Sequence, residues 1–128
     1  MRVLLVEDEF LIREIMSESL RDAGYEVVDV ENGQVAVELM RQPPKQFSLL
    51  VTDFHMPGDV DGSQVASKLR ETHPSIPVII VSGRPDVMKA SWQTQFGYRL
   101  LKKPFLPSDL TKLVRSMIGP PPLMPVTS

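Results

Sequence analysis

The sequence predicts an α/β fold: one doubly wound domain with a five-stranded parallel sheet in the order 2-1-3-4-5. Three observations carry this. Short β-branched apolar runs such as Val3-Leu4-Leu5-Val6 and Val78-Ile79-Ile80-Val81 are bounded by polar residues and too short for helices, as strands buried on both faces are. They alternate with longer segments of helical periodicity, the pattern of a parallel sheet covered on both sides. Four of the five strands also deliver a polar group at the carboxyl end, where open α/β sheets bind ligands.

The first strand runs from Arg2 to Val6, and Glu7-Asp8-Glu9 lead into a helix from Phe10 to Ala23. Leu11, Ile15 and Leu20 lie near helical spacing there, and Gly24 stops the helix. A second strand, Tyr25 to Val30, ends at the turn signal Asn32-Gly33. A short helix from Val35 to Arg41, with Val35 and Leu39 four apart, ends at Pro43-Pro44. The third strand, Leu49 to Thr52, meets Asp53, and Pro57-Gly58 then turn the chain. Ser63 to Glu71 forms the next helix, with Val65, Ala66 and Leu69 inward, and Pro74 and Pro77 bracket the turn into the fourth strand. Arg84-Pro85-Asp86 open a helix reaching Phe96, stopped by Gly97. Arg99 to Lys102 is the fifth strand, and the last helix runs from an N-cap at Ser108 to Ile118. Residues 1–118 are thus one domain, and 119–128, opening Gly-Pro-Pro-Pro, read as a flexible tail.

At 128 residues with 42% hydrophobic and 23% charged residues, the chain can bury one core and is not of disordered composition. A net charge of -2 makes no electrostatic case for nucleic acid or an anionic membrane. The absence of cysteine excludes disulfides and thiolate metal centres. With no apolar run of spanning length and a strand beginning directly after Met1, a cytoplasmic protein without a leader is expected.

An isolated aspartate after a strand is a common turn former or helix cap. Asp53 has company, however. With strands one and three adjacent at the topological switch point, Glu7, Asp8 and Asp53 converge. Carboxylates gathered in one pocket raise each other's pKa unless a cation sits among them. Oxygen donors without a histidine or cysteine cluster favour a hard ion, Mg²⁺ or Mn²⁺. Ser82 after strand four adds a hydroxyl, Gly83 a backbone open to close approach, and Lys103 a positive charge suited to a phosphoryl group. Asp53 is then a candidate nucleophile for in-line phosphoryl transfer.

The motifs Val-Glu-Asp-Glu after strand one, Asp-Phe-His-Met-Pro-Gly after strand three, Val-Ser-Gly after strand four and Lys-Pro-Phe after strand five resemble those of the receiver domain of two-component response regulators. The resemblance covers Arg2 to Ile118 and implies a flavodoxin-like (βα)5 fold of the CheY-like, stand-alone type. It implies Asp53 as phosphoacceptor, Ser82 and Lys103 as phosphoryl-sensing residues, and a Mg²⁺ site of Glu7, Asp8, Asp53 and the His55 backbone carbonyl. It further implies a cis Lys103-Pro104 bond, and a histidine kinase or phosphotransfer protein as phosphodonor. The protein would then signal by protein contacts, not as an enzyme on other substrates. A face made of the fourth helix, fifth strand and fifth helix is a candidate for the downstream partner. Met88, Trp92 and Phe96, four apart on that fourth helix, are either core or part of this patch.

Leu100 stands where the family commonly has an aromatic residue, and the loop from Gly58 to Gly62 is one residue longer than the common form. Glu9 reads as a helix-dipole acid, and His73 as a solvated loop residue. Strand alternation predicts that Lys103 reaches the Asp53 pocket while Lys102 flanks it in solvent. Two alternatives remain: a phosphorylation-independent binding module of the same fold, and a Mg²⁺-dependent phosphatase with an aspartyl nucleophile. Such phosphatases usually place a second acid two residues after the nucleophile, where this chain has His55.

Overall fold

The computed structural model of the chain describes residues 1–41, 47–56, 58, 60–84 and 96–122. Nine elements follow in order: β1 (Arg2–Val6), α1 (Phe10–Asp22), β2 (Glu26–Val30), α2 (Gly33–Met40), β3 (Leu49–Asp53), α3 (Gly62–Thr72), β4 (Val78–Ser82), β5 (Arg99–Lys102) and α4 (Pro107–Ile118). The expected helix between β4 and β5, with Met88 and Trp92, lies outside the described residues. The strands form one parallel sheet in the order β2-β1-β3-β4-β5.

Alternation along each strand divides the core into two layers. Leu4, Val6, Leu50, Val78 and Ile80 pack with Val65, Ala66 and Leu69 of α3 and Ala36 of α2. Val3, Leu5, Leu49, Val51, Ile79 and Val81 pack with Met16 and Leu20 of α1 and Leu110 and Val114 of α4. Both faces are apolar, so polarity inside the sheet does not distinguish one register from the next. The strand ends do. Val6 pairs with Thr52 and Asp53 with Val81, and a slip of one residue inward would draw the Asp53 carboxylate a rung deeper into the sheet.

Three helices differ from expectation in detail. On α1 the buried side chains are Met16, Ser17 and Leu20, with Ile12 partly buried, whereas Leu11 and Ile15 are 72% and 52% exposed. The inward stripe is 12, 16, 20, one position on from 11 and 15, and Ile15 instead walls a surface groove with Pro104 and Phe105. On α2, Ala36 is buried and Val35 is exposed, because the helix starts at Gly33 under an Asn32 cap that accepts from the Val35 amide at 2.9 Å. Helix α4 begins at Pro107, so Ser108 is not its N-cap. Leu106 holds that place, and Asp109 Oδ2 accepts from the Leu106 amide at 3.0 Å. Beyond α4, the Tyr25 hydroxyl donates to the Gly119 carbonyl at 2.6 Å, tying the first residue after the helix to the start of β2.

Candidate functional site

At the carboxyl edge of the sheet, β1 and β3 lie side by side and bring Glu7, Asp8 and Asp53 together. One carboxylate oxygen from each lies within 4.8 Å of the others; Glu7 and Asp53 are buried and Asp8 is not. The Glu7 amide donates to the Val30 carbonyl at 3.1 Å, so the residue after β1 is held against the end of β2. Asp53 is the last residue of β3, one position later than the sequence places the strand end.

Lys103 crosses from β5. Its ammonium sits 3.2 Å from Asp53 Oδ2 and 3.3 Å from Glu7 Oε1. Lys102 is exposed, as alternation along the strand requires, and Lys103-Pro104 is cis. The third rung of the edge is Ser82, buried at the end of β4. Its hydroxyl accepts from the Arg84 amide at 3.0 Å, so in this state it serves its own loop. His55 lies two residues past Asp53, exposed, with its ring edge-on to Phe54 at 4.7 Å between centroids. Leu100 is partly buried against the α2–α3 side of the core, and Glu9 occupies the N-cap position of α1 without a side-chain cap bond.

Burial and charge crowding dominate the electrostatics. Burial, then the Asp53 charge, push the Glu7 carboxyl up to about 7, although Lys103 pulls the other way. Burial also raises Asp53, against the pull of Lys103. Burial lowers Lys103, but the two carboxylates more than offset that and hold it above its ordinary value, so it stays charged. One ammonium therefore faces three acids, and protonation of Glu7 is favoured because it relieves the excess negative charge. Glu7 Oε2 is fully buried with no hydrogen-bond partner among the described residues. An oxygen-only cluster with an orphaned buried oxygen fits a small hard cation.

Glycine supports the site at a position the sequence reading did not single out. Gly62, first residue of α3, donates its amide to the Phe54 carbonyl at 3.0 Å. A Cβ there would stand 2.3 Å from the Asp53 carbonyl oxygen and 2.9 Å from the Phe54 Cα. The start of α3 thus rests on the Asp53 backbone. The Asp61–Gln64 capping box fixes that start: Asp61 Oδ1 accepts from the Gln64 amide at 3.0 Å and Gln64 Oε1 from the Asp61 amide at 2.7 Å. At Gly83, by contrast, a Cβ would meet among the described residues only the Lys103 Cβ, at an ordinary 3.7 Å.

Residues 3–115 match the family model described as response regulator receiver domain. The response regulator receiver protein CpdR of Brucella abortus is 32% identical over 118 residues, covering 91% of this chain and 96% of that protein. The sensor kinase CckA of the same organism is 34% identical over 117 residues, which cover 91% of this chain but 12% of the kinase. Among solved structures, a response regulator receiver protein from Sinorhizobium medicae superposes with a TM-score of 0.79 at 29% identity, covering 92% of this chain and 94% of that one.

Proposed function

The chain belongs to the response regulator receiver family and acts in two-component phosphorelay signalling, and from that premise we propose that Asp53 is the residue that accepts the phosphoryl group. The donor is a histidine kinase or a phosphotransfer protein. One observation carries the reading: a buried carboxylate at the end of the central strand, with a charged lysine 3.2 Å away and two further acids beside it.

The chemistry follows from this arrangement. An Asp53 carboxylate oxygen attacks phosphorus in line, the phosphorus–nitrogen bond of a phosphohistidine breaks, and its electron pair leaves on the imidazole nitrogen. The product is an acyl phosphate. Lys103 is already beside the attacking carboxylate and offers its charge to the phosphoryl oxygens without travelling. Ser82 exchanges the Arg84 amide for a phosphoryl oxygen, and that exchange reports the modification to the loop after β4. Glu7, Asp8, Asp53 and the His55 carbonyl would hold Mg²⁺, with Mn²⁺ the other fit, and the ion would supply positive charge that offsets the gathered negative charge of the site.

Catalysis is confined to the protein's own phosphorylation and dephosphorylation. Output is through protein contacts, with the β5 edge and α4 as the described parts of the partner face. No described helix is long and apolar enough to cross a membrane. A small phosphodonor with Mg²⁺ should add one phosphoryl group, stable to acid and labile to base. Asp53→Asn or chelation of the metal should abolish the addition; a mass gain undiminished in Asp53→Asn would overturn the assignment.

A further inference from the structure

The acidic pair sits on a loop, and carboxylates that must meet a small ion need a fixed backbone beneath them. Glu7 and Asp8 share one peptide group, which is planar, so the direction of the Glu7 carbonyl sets the orientation of both residues. Arg13, one turn into α1, donates Nη1 to that carbonyl at 2.9 Å. Its Nε lies 3.4 Å from Asp29 Oδ2 on β2, and its side chain is 14% exposed. Asp29 is itself held from the other side by Arg21, whose Nη2 lies 2.9 Å from Asp29 Oδ1 and also donates to the Val27 carbonyl at 3.1 Å. The Phe10 ring closes one side of the Arg13 guanidinium, 5.5 Å from its carbon. On its amide side, Glu7 is already bonded to Val30.

We propose that Arg13, braced by Asp29, is a positioning residue for the cation site: it locks the Glu7–Asp8 peptide so that both carboxylates face Asp53. The fork geometry of arginine is what allows one side chain to serve a carbonyl and a carboxylate together, and lysine at this position cannot do both. The proposal rests on the metal-dependent reading of the Glu7, Asp8 and Asp53 cluster, and it adds why the loop holds its shape before the ion arrives.

The test titrates the full apo chain with Mg²⁺ alone and follows the amide shifts of Glu7, Asp8 and Asp53. Arg13→Met should weaken Mg²⁺ binding about tenfold, the scale seen when groups supporting metal ligands are removed. Arg13→Lys should fall between it and the parent, and Asp29→Asn should weaken binding by a few-fold while the Arg13 contact to Glu7 survives. At saturating Mg²⁺ the rate of phosphorylation by a small donor should return to within about twofold of the parent in every folded variant, because only preorganisation is lost. Should Arg13→Met not fold, Asp29→Asn and Arg13→Lys carry the test. Mg²⁺ affinities within twofold of the parent in these variants, with only the melting temperature lowered, would reduce Arg13 to a structural tie and overturn the proposal. Mg²⁺ binding weakened in the variants, with a parent chain that binds Mg²⁺ but accepts no phosphoryl group, would instead leave the positioning role intact and defeat the phosphoacceptor reading.

Discussion

Glu7→Gln offers the sharpest view of the apo site. The folded state holds the Glu7 proton to about 7 against an ordinary 4.5, chiefly because the carboxyl is buried and next because Asp53 is beside it. A carboxyl whose folded pKa is raised favours the fold fully below the unfolded value and loses that contribution as pH rises through the folded one. The loss is about 1.4 kcal/mol per pH unit, which over the window from 4.5 to about 7 sets a ceiling of about 3 kcal/mol. Glutamine keeps the shape and a donor toward Asp53 but cannot ionise. In chelator, chemical denaturation at pH 5 should find parent and Glu7→Gln similar, and at pH 8 the variant should be more stable by about 1–3 kcal/mol. Mg²⁺ should close the gap at pH 8 by replacing the proton, and should do less for the variant, which has lost a charged ligand. A parent whose stability rises across this window relative to the variant, or a gap absent at pH 8, would refute the argument that the site is over-charged without a cation.

Other consequences follow from neighbouring residues. Asp53→Asn should raise the apo melting temperature at pH 8, since burial disfavours the Asp53 charge in the fold; thermal scans in chelator would show it. Lys103→Ala should slow phosphotransfer at least tenfold and blunt the phosphorylation-induced shifts, whereas Lys102→Ala should stay within about twofold because an exposed charge contributes little. The reverse ranking in transfer assays would count against the role given to Lys103. Gly62→Ala forces a methyl onto the Asp53 and Phe54 backbone and should cost about 1–3 kcal/mol in denaturation, together with phosphorylation rate. Gly83→Ala should stay within about 0.5 kcal/mol, its methyl meeting among the described residues only Lys103, at ordinary contact distance.

The strands were the legible part of this chain. Val3 to Val6 and Val78 to Val81 are unbroken apolar runs ending abruptly in polar residues, so both their location and the polar edge they form could be read from the sequence. Sheet order then brought Glu7, Asp8 and Asp53 together without any contact being known, because strands one and three are neighbours in only some orders. Helix faces were less legible. On α1, apolar residues occupy 10, 11, 12, 15 and 16, and periodicity alone does not select 12, 16 and 20 over 11 and 15. The α4 cap was misplaced because Ser108 is a common cap residue, while Leu106 followed by Pro107 is the stronger start signal: proline at the first helical position forgoes a bond that would be unmade anyway. Gly62 and Arg13 carry no local signature of their work. The first matters through a backbone nine residues earlier in sequence, on β3, and the second through a carbonyl on one loop and an acid on another strand.

The central claim is that Asp53 carries the phosphoryl group. Its most direct test is to phosphorylate the protein from a phosphohistidine donor in Mg²⁺, trap the product with borohydride and locate the change by peptide mass. An acyl phosphate on Asp53 is reduced to homoserine, so conversion at residue 53 alone is the predicted result, absent in Asp53→Asn. Conversion at another acidic residue, or phosphate retained on His55 or His73 with Asp53 unchanged, would contradict it.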